Sequence, residues 1–158
     1  MNKFRFEDKM FVFLREKNYI LSQIMGNFTL RSKEAYEVSS LYYDEKEFNA
    51  YFDKKEGENK KKKFRQRFYD NSKNGHYEIK EKIGPRVNKI KSYSISLFPN
   101  YIEPALWISY DRLAYNFRNE MADLRVTIDS RVKCGINRKH LFKDIDTQVY
   151  MFTLNYKD

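Results

Sequence analysis

Cysteine, proline and glycine are scarce in this 158-residue sequence, which has one Cys, three Pro and five Gly. The single Cys134 excludes an intramolecular disulfide framework, and the low Pro and Gly counts exclude a collagen-like chain or a low-complexity linker. Only two His are present, His76 and His140, and neither has Cys, His or Glu at the spacing of a zinc site. A disulfide-stapled scaffold or a structural zinc domain is therefore not expected.

Long apolar runs are also missing. No segment reaches the roughly 18 consecutive apolar residues that a membrane-spanning helix needs, so no transmembrane segment is expected. The first nine residues are charged and lack the apolar centre of a secretory signal. The single cysteine fits a reducing compartment, and the sequence predicts a cytoplasmic location.

Basic residues exceed acidic ones, with 31 Lys and Arg against 22 Asp and Glu, which gives a formal net charge of +9. A solvated basic surface explains this excess as well as an anionic partner does. The charge alone does not distinguish nucleic acid, an acidic membrane and a phosphate compound. A hydrophobic fraction of 41% is enough for a core. At this length a single domain, residues 1–158, is expected.

Charged residues recur two positions apart inside segments that otherwise have strand composition. Side chains at i and i+2 of a strand point to the same face, so each segment has a charged face and a face of Phe, Tyr, Ile or Val. Several strands with a mainly cationic face indicate a groove or lumen that binds a polyanion. The rows are Arg5, Glu7 and Lys9; Arg65 and Arg67; Glu78, Lys80 and Lys82; and Arg125, Thr127 and Asp129.

The sequence predicts an antiparallel α+β fold with at least seven strands and two short helices. The helices are predicted at 13–25 and 45–54. Lys60–Lys63 is interpreted as a solvated turn, Asp70–Gly75 as a hairpin turn, 116–121 as a turn and 134–146 as irregular. The predicted strands are 4–12, 36–44, 63–69, 76–82, 86–94, 105–115, 123–132 and 148–156.

Six blocks resemble, in the same order, the vacuolar transporter chaperone (VTC) domain, the polyphosphate polymerase domain family within the triphosphate tunnel (CYTH-like) group. Each block alone is a weak signal, but together they cover most of the chain. The blocks are Arg5–Lys9, similar to R-x-E-x-K; Ser40–Asp44, similar to S-L-Y-F-D; Lys63–Tyr69, similar to K-x-R-x-R-x-Y; Tyr77–Lys82, similar to E-x-K; Ser109–Tyr115, similar to Y-x-R-x-A-Y; and Asp123–Asp129, similar to L-R-V-T-x-D.

The resemblance implies a closed antiparallel β-barrel with a few short helices outside, whose interior binds triphosphate or polyphosphate. It implies transfer of the ATP γ-phosphate to a growing polyphosphate chain, with ATP and polyphosphate as partners and Mg²⁺ or Mn²⁺ as cofactor. A triphosphatase of the same group and a catalytically impaired polyphosphate- or nucleotide-binding module are the alternatives. Nucleic acid is not an expected partner, because only the net charge and the lysine run favour it and no exposed aromatic platform is recognised.

The resemblance also implies roles for single residues. Arginine suits phosphate because its planar fork donates two parallel hydrogen bonds, and phosphoryl transfer needs mainly positioning and charge neutralisation. The implied catalytic residues are Arg65, Arg67, Lys80, Arg112 and Arg125. The implied substrate-binding residues are Arg5, Lys9, Lys82, Arg65 and Arg67. The implied metal ligands are Glu7, Glu78 and Asp129, with a role as counter-charges to nearby arginines as the alternative.

Two departures from the family pattern bear on activity. Few residues separate Lys91 from Pro104, so most of the family's central helical section is missing, and no match to its C-terminal helix is found. The family's last strand reads E-x-K, and here Thr153 and Asn155 stand at those positions. Because that Glu holds the catalytic metal in the family, the sequence leaves enzyme and binding module as alternatives.

Overall fold

Nine β-strands and two α-helices make up the described part of the structure. The computed structural model describes residues 5–26, 29–30, 34–70, 72–118, 123–136 and 149–156. The helices are α1 (Leu14–Met25) and α2 (Asn49–Lys55), and Ile95–Leu97 forms a short 3-10 helix. The strands are β1 (Arg5–Phe13), β2 (Thr29–Leu30), β3 (Tyr36–Asp44), β4 (Lys60–Tyr69), β5 (His76–Ile83), β6 (Arg86–Ser92), β7 (Glu103–Arg118), β8 (Asp123–Gly135) and β9 (Val149–Tyr156).

Helix α1 follows β1 directly, where the spacing of apolar residues changes from a strand pattern to a helical one. A carboxylate oxygen of Glu16 accepts a hydrogen bond from the Phe13 backbone N–H at 3.3 Å. This contact satisfies one of the backbone donors left over at a helix start. The helix ends at Met25, and the N–H of the next residue, Gly26, donates to the Ser22 carbonyl at 3.3 Å.

All nine strands belong to one antiparallel sheet. Its neighbours follow the order β2-β7-β3-β4-β5-β6-β1-β9-β8, and β7 also pairs with β8. Among the described residues β1 and β6 share only two residue pairs, Arg5 with Val87 and Phe6 with Arg86. The predicted α+β class with a mainly antiparallel sheet is confirmed. The described strands do not, however, close along their length into the barrel that the resemblance implied, because the β1–β6 contact is too short.

The strand register separates a polar face of the sheet from an apolar face. Residues directly opposite each other on neighbouring strands point to the same face, which places Ser40, Arg67 and His76 together on the polar face. On the other face, Val12 and Ile128 belong to a buried cluster that also contains Tyr115 and Val126. Ile20 and Leu21 of α1 pack against this cluster.

A second apolar cluster covers the same face farther along the sheet. Phe98 follows the 3-10 helix, is buried, and contacts one ring from each of three strands. Its ring centroid lies 5.2 Å from Tyr43, 5.5 Å from Phe64 and 5.3 Å from Tyr77. Because the apolar side of the sheet is covered from outside, the polar face does not have to supply the hydrophobic core.

Three stretches differ from their predicted structure. Lys60–Lys63 is the start of β4, not a turn, because its backbone pairs with Lys80–Ile83 of β5. Residues 116–118 continue β7 and pair with Asp123–Arg125 of β8. Cys134 and Gly135 extend β8, while 137–146 of the predicted irregular segment lies outside the described residues.

The short strand β2 was not predicted. It pairs with Tyr115 and Asn116 of β7. No helix within the described ranges combines the length and the apolar composition required to cross a bilayer.

Candidate functional site

The predicted basic residues of five strands meet on the polar face. Arg67 of β4 reaches Tyr110 of β7, and Lys80 of β5 reaches Glu7 of β1, so side chains from distant strands are in direct contact. The register also places Lys61, Lys89 and Lys91 on this face. The polar face contains the basic residues Lys9, Lys61, Lys63, Arg65, Arg67, Lys80, Lys82, Lys89, Lys91, Arg112 and Arg125, and among them the carboxylates Glu7, Glu78 and Asp129.

Arg65 and Glu78 form a buried ion pair on adjacent strands. Arg65 is 8% exposed and Glu78 only 2%. Nε and Nη2 of Arg65 donate to Glu78 Oε2 at 2.7 and 2.5 Å, and Nη1 donates to the Tyr42 hydroxyl at 3.3 Å. Burial alone would raise the pKa of Glu78, but the charges of Arg65 and Arg67 outweigh it and hold that pKa well below its ordinary value. Glu78 is therefore an anion that fixes Arg65 in place.

Two further groups approach the other oxygen of Glu78. His76 Nε2 lies 2.8 Å and Lys91 Nζ lies 3.1 Å from Oε1. Both carboxylate oxygens are thus occupied by basic groups of the protein itself. A buried carboxylate in this setting is stable only as long as these partners remain.

Arg67 is buried as deeply as Arg65 but has neutral partners. Its Nε donates to Ser40 Oγ at 3.2 Å and its Nη2 donates to the Tyr110 hydroxyl at 3.1 Å. No carboxylate of the described residues forms an ion pair with it. The charge of Arg67 is therefore positioned by hydroxyl groups without being neutralised by them, which leaves it available to an anion.

Arg112 and the buried Asp129 form a second, partly buried ion pair, on β7 and β8. Nε and Nη2 of Arg112 donate to the two carboxylate oxygens, each at 2.6 Å, in the two-pronged geometry that suits this pair. Burial lowers the pKa of Arg112, but the hydrogen bond to Asp129 more than offsets it and raises that pKa. Arg125 lies on the same face of β8 and donates to the Tyr36 hydroxyl at 3.4 Å.

Lysines of β1 and β5 approach Glu7, across the intervening strand β6. Lys80 Nζ donates to Glu7 Oε1 at 2.6 Å, and Lys9 Nζ lies 3.7 Å from the same oxygen. Burial by itself raises the pKa of Glu7, whereas Lys80 and Lys9 lower it to about 2. Burial lowers the pKa of Lys80 and of Lys63, so one carboxylate does not compensate the surrounding ammonium groups.

Lys89 is the most strongly perturbed lysine of the polar face. The residue as a whole is exposed, but its ammonium is desolvated. This desolvation, together with the charges of Lys80 and Arg65, lowers the pKa of Lys89 to about 7, while Glu7 and Glu78 act in the opposite direction. An anion that binds beside this ammonium group favours its protonated form and raises its pKa.

The carboxylates predicted as metal ligands are not grouped together in the described part of the structure. No group of three His, Cys, Asp or Glu side chains within the described ranges is close enough to hold a metal ion together. Glu7, Glu78 and Asp129 are each bound to a lysine or arginine instead. Their arrangement fits the alternative role of counter-charges to the basic residues, and their part in binding Mg²⁺ or Mn²⁺ stays a prediction.

For some predicted residues only the backbone pairing is described. Arg5 pairs with Val87, and Thr153 pairs with Lys9 on one side and Thr127 on the other. The side chains of Arg5, Thr153 and Asn155 lie outside the described part of the structure.

Sequence reasoning missed the groups that hold the cations. Ser40, Tyr42 and Tyr110 lie inside the recognised blocks, but none of the three is among the predicted site residues. Lys89 was not singled out either. Its position two residues before Lys91, in a strand opposite the Glu78 and Lys80 row, was the signal that could have found it.

Comparison with known proteins gives a fold and a family. A solved X-ray structure from Vibrio parahaemolyticus, provisionally assigned as an adenylate cyclase, matches with a TM-score of 0.57 and 15% sequence identity. The match covers 94% of this chain and 75% of that chain, and at this identity it shows a shared fold alone. None of the curated proteins compared matches the sequence. The VTC domain family model matches residues 4–102, more than half of the sequence, and the chain therefore belongs to the VTC domain family.

Proposed function

We propose that the polar face binds the linked phosphates of ATP and of inorganic polyphosphate. The observation that carries this proposal is the excess of desolvated cations over carboxylates on one sheet face, with Arg67 held by hydroxyl groups alone. Like charges in a medium of low effective dielectric repel strongly, and a chain of phosphates relieves this repulsion at several points at once. The full chain, residues 1–158, functions in this proposal as one VTC domain with a reduced helical section.

The proposed activity is that of a polyphosphate polymerase. The phosphates of ATP lie along Arg65, Arg67, Lys80, Arg112 and Arg125. A terminal phosphate oxygen of the growing chain attacks the γ-phosphorus in line, a new P–O–P bond forms, the bond to the β-phosphate oxygen breaks, and ADP leaves. The basic residues stabilise the charge that develops on the transferring oxygens, which is the main protein contribution in phosphoryl transfer. In this proposal Mg²⁺ or Mn²⁺ belongs to the nucleotide phosphates, and no protein step depends on it.

A binding module without turnover is the second candidate. It is favoured by Thr153, which stands in the last strand where the family has a glutamate. It is also favoured by the ion pairs of the polar-face carboxylates Glu7, Glu78 and Asp129 with basic side chains. In that case the polar face retains polyphosphate or nucleotide without transferring phosphate.

Binding and turnover are measured separately. Isothermal titration calorimetry with inorganic triphosphate and with ATP tests the binding proposal, and the wild-type protein is expected to bind both. Incubation with ATP and Mn²⁺, followed by a gel stained for polyphosphate, tests the polymerase. Release of free phosphate without long polymer would identify a triphosphatase, and binding without either product would identify the binding module.

Two variants test the assignment to the polar face and to Thr153. Arg67→Ala is expected to weaken triphosphate binding, whereas Lys62→Ala, which removes a charge from the opposite face, leaves it unchanged. Thr153→Glu restores the family's residue and is expected to raise the rate of polymer formation if an inactive last strand limits turnover. If the wild-type protein bound neither triphosphate nor ATP, the proposed function would be contradicted altogether.

A further inference from the structure

Two phenylalanines of β1 expose their rings on the polar side of the sheet. Phe11 is 77% exposed and Phe13 is 57% exposed. They follow Glu7 and Lys9 at intervals of two residues, so all four side chains point to one face of β1. Val12 points the other way and is 4% exposed beneath α1. The protein therefore leaves apolar rings open to solvent on the face that otherwise carries charge.

The exposure follows from how far β1 extends. In the described part of the chain, strand β6 pairs with β1 only at Arg5 and Phe6, next to the Gly84-Pro85 turn that precedes β6. The later part of β1 is paired on its other side with β9, where Phe11 lies opposite Met151. Met151 in turn lies opposite Asp129 of β8. Phe11 thus lies in the same cross-strand row as Asp129, at the end of the polar face that β6 does not reach.

The spacing between these rings and the lysines matches the shape of one class of ligand. A strand advances about 3.4 Å per residue, so Phe11 lies about 7 Å and Phe13 about 14 Å along β1 from Lys9. Lys9 and Lys80 both approach Glu7. A flat apolar surface one step beyond a cluster of ammonium groups is complementary to a molecule with a phosphate tail and an aromatic head.

The two rings are not equivalent. The guanidinium carbon of Arg15 lies 5.6 Å from the ring centroid of Phe13, a cation–π contact that occupies one side of that ring. Phe11 has no such cover among the described residues and is the more exposed of the two. Phe11 is therefore the ring on which a second aromatic system can stack, with Phe13 and Arg15 beside it.

We infer that Phe11 is a stacking platform for the base of a nucleoside triphosphate whose phosphates occupy the adjacent lysines of the polar face. The inference rests on the proposed phosphate-binding function and assigns its substrate class, a nucleotide over inorganic triphosphate. Base stacking on an exposed aromatic side chain tolerates any base and contributes enough to change affinity about 5- to 100-fold. The same platform makes purine nucleotides preferred to pyrimidine nucleotides, because the larger ring system covers more of Phe11.

The test compares two ligands that share a phosphate tail. Dissociation constants for ATP and for inorganic triphosphate are measured by calorimetry on the full chain, without turnover conditions, for the wild type, Phe11→Ala, Phe11→Trp and Tyr19→Ala. Tyr19 is the matched control, since its ring is 69% exposed on α1, away from the polar face. The wild type is expected to bind ATP at least fivefold more tightly than triphosphate. Phe11→Ala abolishes that advantage and leaves triphosphate affinity within twofold, while Phe11→Trp and Tyr19→Ala preserve the advantage.

Other results overturn the inference in distinguishable ways. Equal wild-type affinities for ATP and triphosphate, or a Phe11→Ala variant that weakens both ligands alike, would leave phosphate binding intact and remove the platform. Binding of neither ligand would remove the proposed function as well. If Phe11→Ala does not fold, the wild-type preference for ATP over UTP decides, and its absence contradicts stacking. Loss of a dimer in Phe11→Ala during sedimentation, with the ATP preference unchanged, would identify the rings as a contact between two copies of the chain instead.

Discussion

The arginines and the lysines of the polar face are in opposite electrostatic states. Arg65 and Arg112 each share an ion pair with a buried carboxylate, Glu78 and Asp129 respectively, and their pKa values are raised above the ordinary value despite burial. In the lysine region, formed by Lys63, Lys80 and Lys89, burial lowers every pKa. Arg65 and Arg112 thus each have a carboxylate of their own, whereas the lysine region has Glu7, which pairs with Lys80, as its one directly bonded carboxylate among the described residues.

This difference separates the residues that stabilise the folded site from those that an anionic ligand stabilises most. A guanidinium is weakly hydrated and forms several hydrogen bonds in fixed directions, so it tolerates burial when a carboxylate faces it. An ammonium group is strongly hydrated and loses its proton when it is crowded without a counter-ion. We therefore expect the arginine pairs to carry stability and the lysine region to carry most of the response to an anionic ligand.

The largest expected effect is on folding and comes from the Arg65–Glu78 pair. Arg65→Ala leaves a carboxylate that is 2% exposed without its main partner. Breaking a buried pair in this way costs about 3–5 kcal/mol of unfolding free energy, measurable by chemical denaturation. This loss means that binding studies on an Arg65 variant have to be accompanied by a measurement of stability.

A paired variant isolates the cause of that loss. Replacing both members by apolar residues, as in Arg65→Met with Glu78→Met, removes the unpaired charge and is expected to recover most of the stability. If the single and the double variant were equally unstable, the destabilisation would come from packing and the buried pair would have no special role.

Much of the fold could be predicted from the sequence because strand periodicity is a local property. Alternation located β3, β5 and the charged faces of β1, β4 and β8 within a few residues. The ends were less predictable, as Lys60–Lys63 shows. Four consecutive lysines have the composition of a solvated turn, but hydrogen bonds from a partner strand determine the backbone there. The extension of β7 through residues 116–118 has the same cause.

The candidate site was predictable in its charges and not in its pairings. The sequence shows which side chains share a face of one strand, so the cations on β4 and β5 were found. Which carboxylate meets which cation depends on the register between strands that are distant in the chain. Glu7 contacts Lys80 across 73 positions, and Arg67 contacts Tyr110 across 43. The same dependence explains why the exposed rings of Phe11 and Phe13 were not recognised as a platform.

The second effect in size concerns Arg67, the arginine that breaks the general contrast. Arg67 is as deeply buried as Arg65, but its hydrogen-bond partners are the neutral hydroxyl groups of Ser40 and Tyr110. Arg67→Lys keeps the charge and loses the fork that reaches Ser40 and Tyr110. A hydrogen bond to a charged group contributes about 1.5–3 kcal/mol, so triphosphate affinity is expected to fall about 10- to 100-fold in calorimetry. Unchanged affinity in this variant would mean that the ligand does not reach β4.

The third prediction concerns pH and the lysine region. The pKa of Lys89 is lowered from its ordinary value of 10.5 to about 7 in the folded protein by desolvation and by the charges of Lys80 and Arg65. An anion favours the protonated form and raises that pKa, so binding takes up protons above about pH 7. Triphosphate affinity, measured by calorimetry from pH 6 to 9, is therefore expected to be higher below pH 7 and to fall as pH rises above it.

Two variants assign this pH dependence to Lys89. Lys89→Gln and Lys89→Arg carry a constant charge, and comparison with the wild type on the same ligand cancels the titration of the phosphate itself. Glu7, Glu78 and the neighbouring Lys80 and Arg65 are unchanged in both variants. A wild-type slope that persists in both variants would place the titrating group elsewhere. In the absence of ligand, unfolded chains bind more protons at Lys89 than folded ones between about pH 7 and 10.5, so its contribution to stability rises with pH over that range.

The smallest expected effect comes from Lys62 and tests the division of the sheet into two faces. Lys62 and Lys63 are adjacent in β4 and carry the same charge, but Lys63 lies opposite Lys80 on the polar face whereas Lys62 lies opposite Glu81 on the other. The Lys62–Glu81 pair, at 3.0 Å, is largely solvated, and such pairs contribute about 0–1 kcal/mol. Lys62→Ala is therefore expected to leave triphosphate affinity within about twofold, while Lys63→Ala weakens it about fivefold or more, as one charged contact is lost. Equal losses in the two variants would show that the ligand responds to overall charge, since only a ligand bound on one face of the sheet distinguishes two adjacent lysines that point to opposite faces.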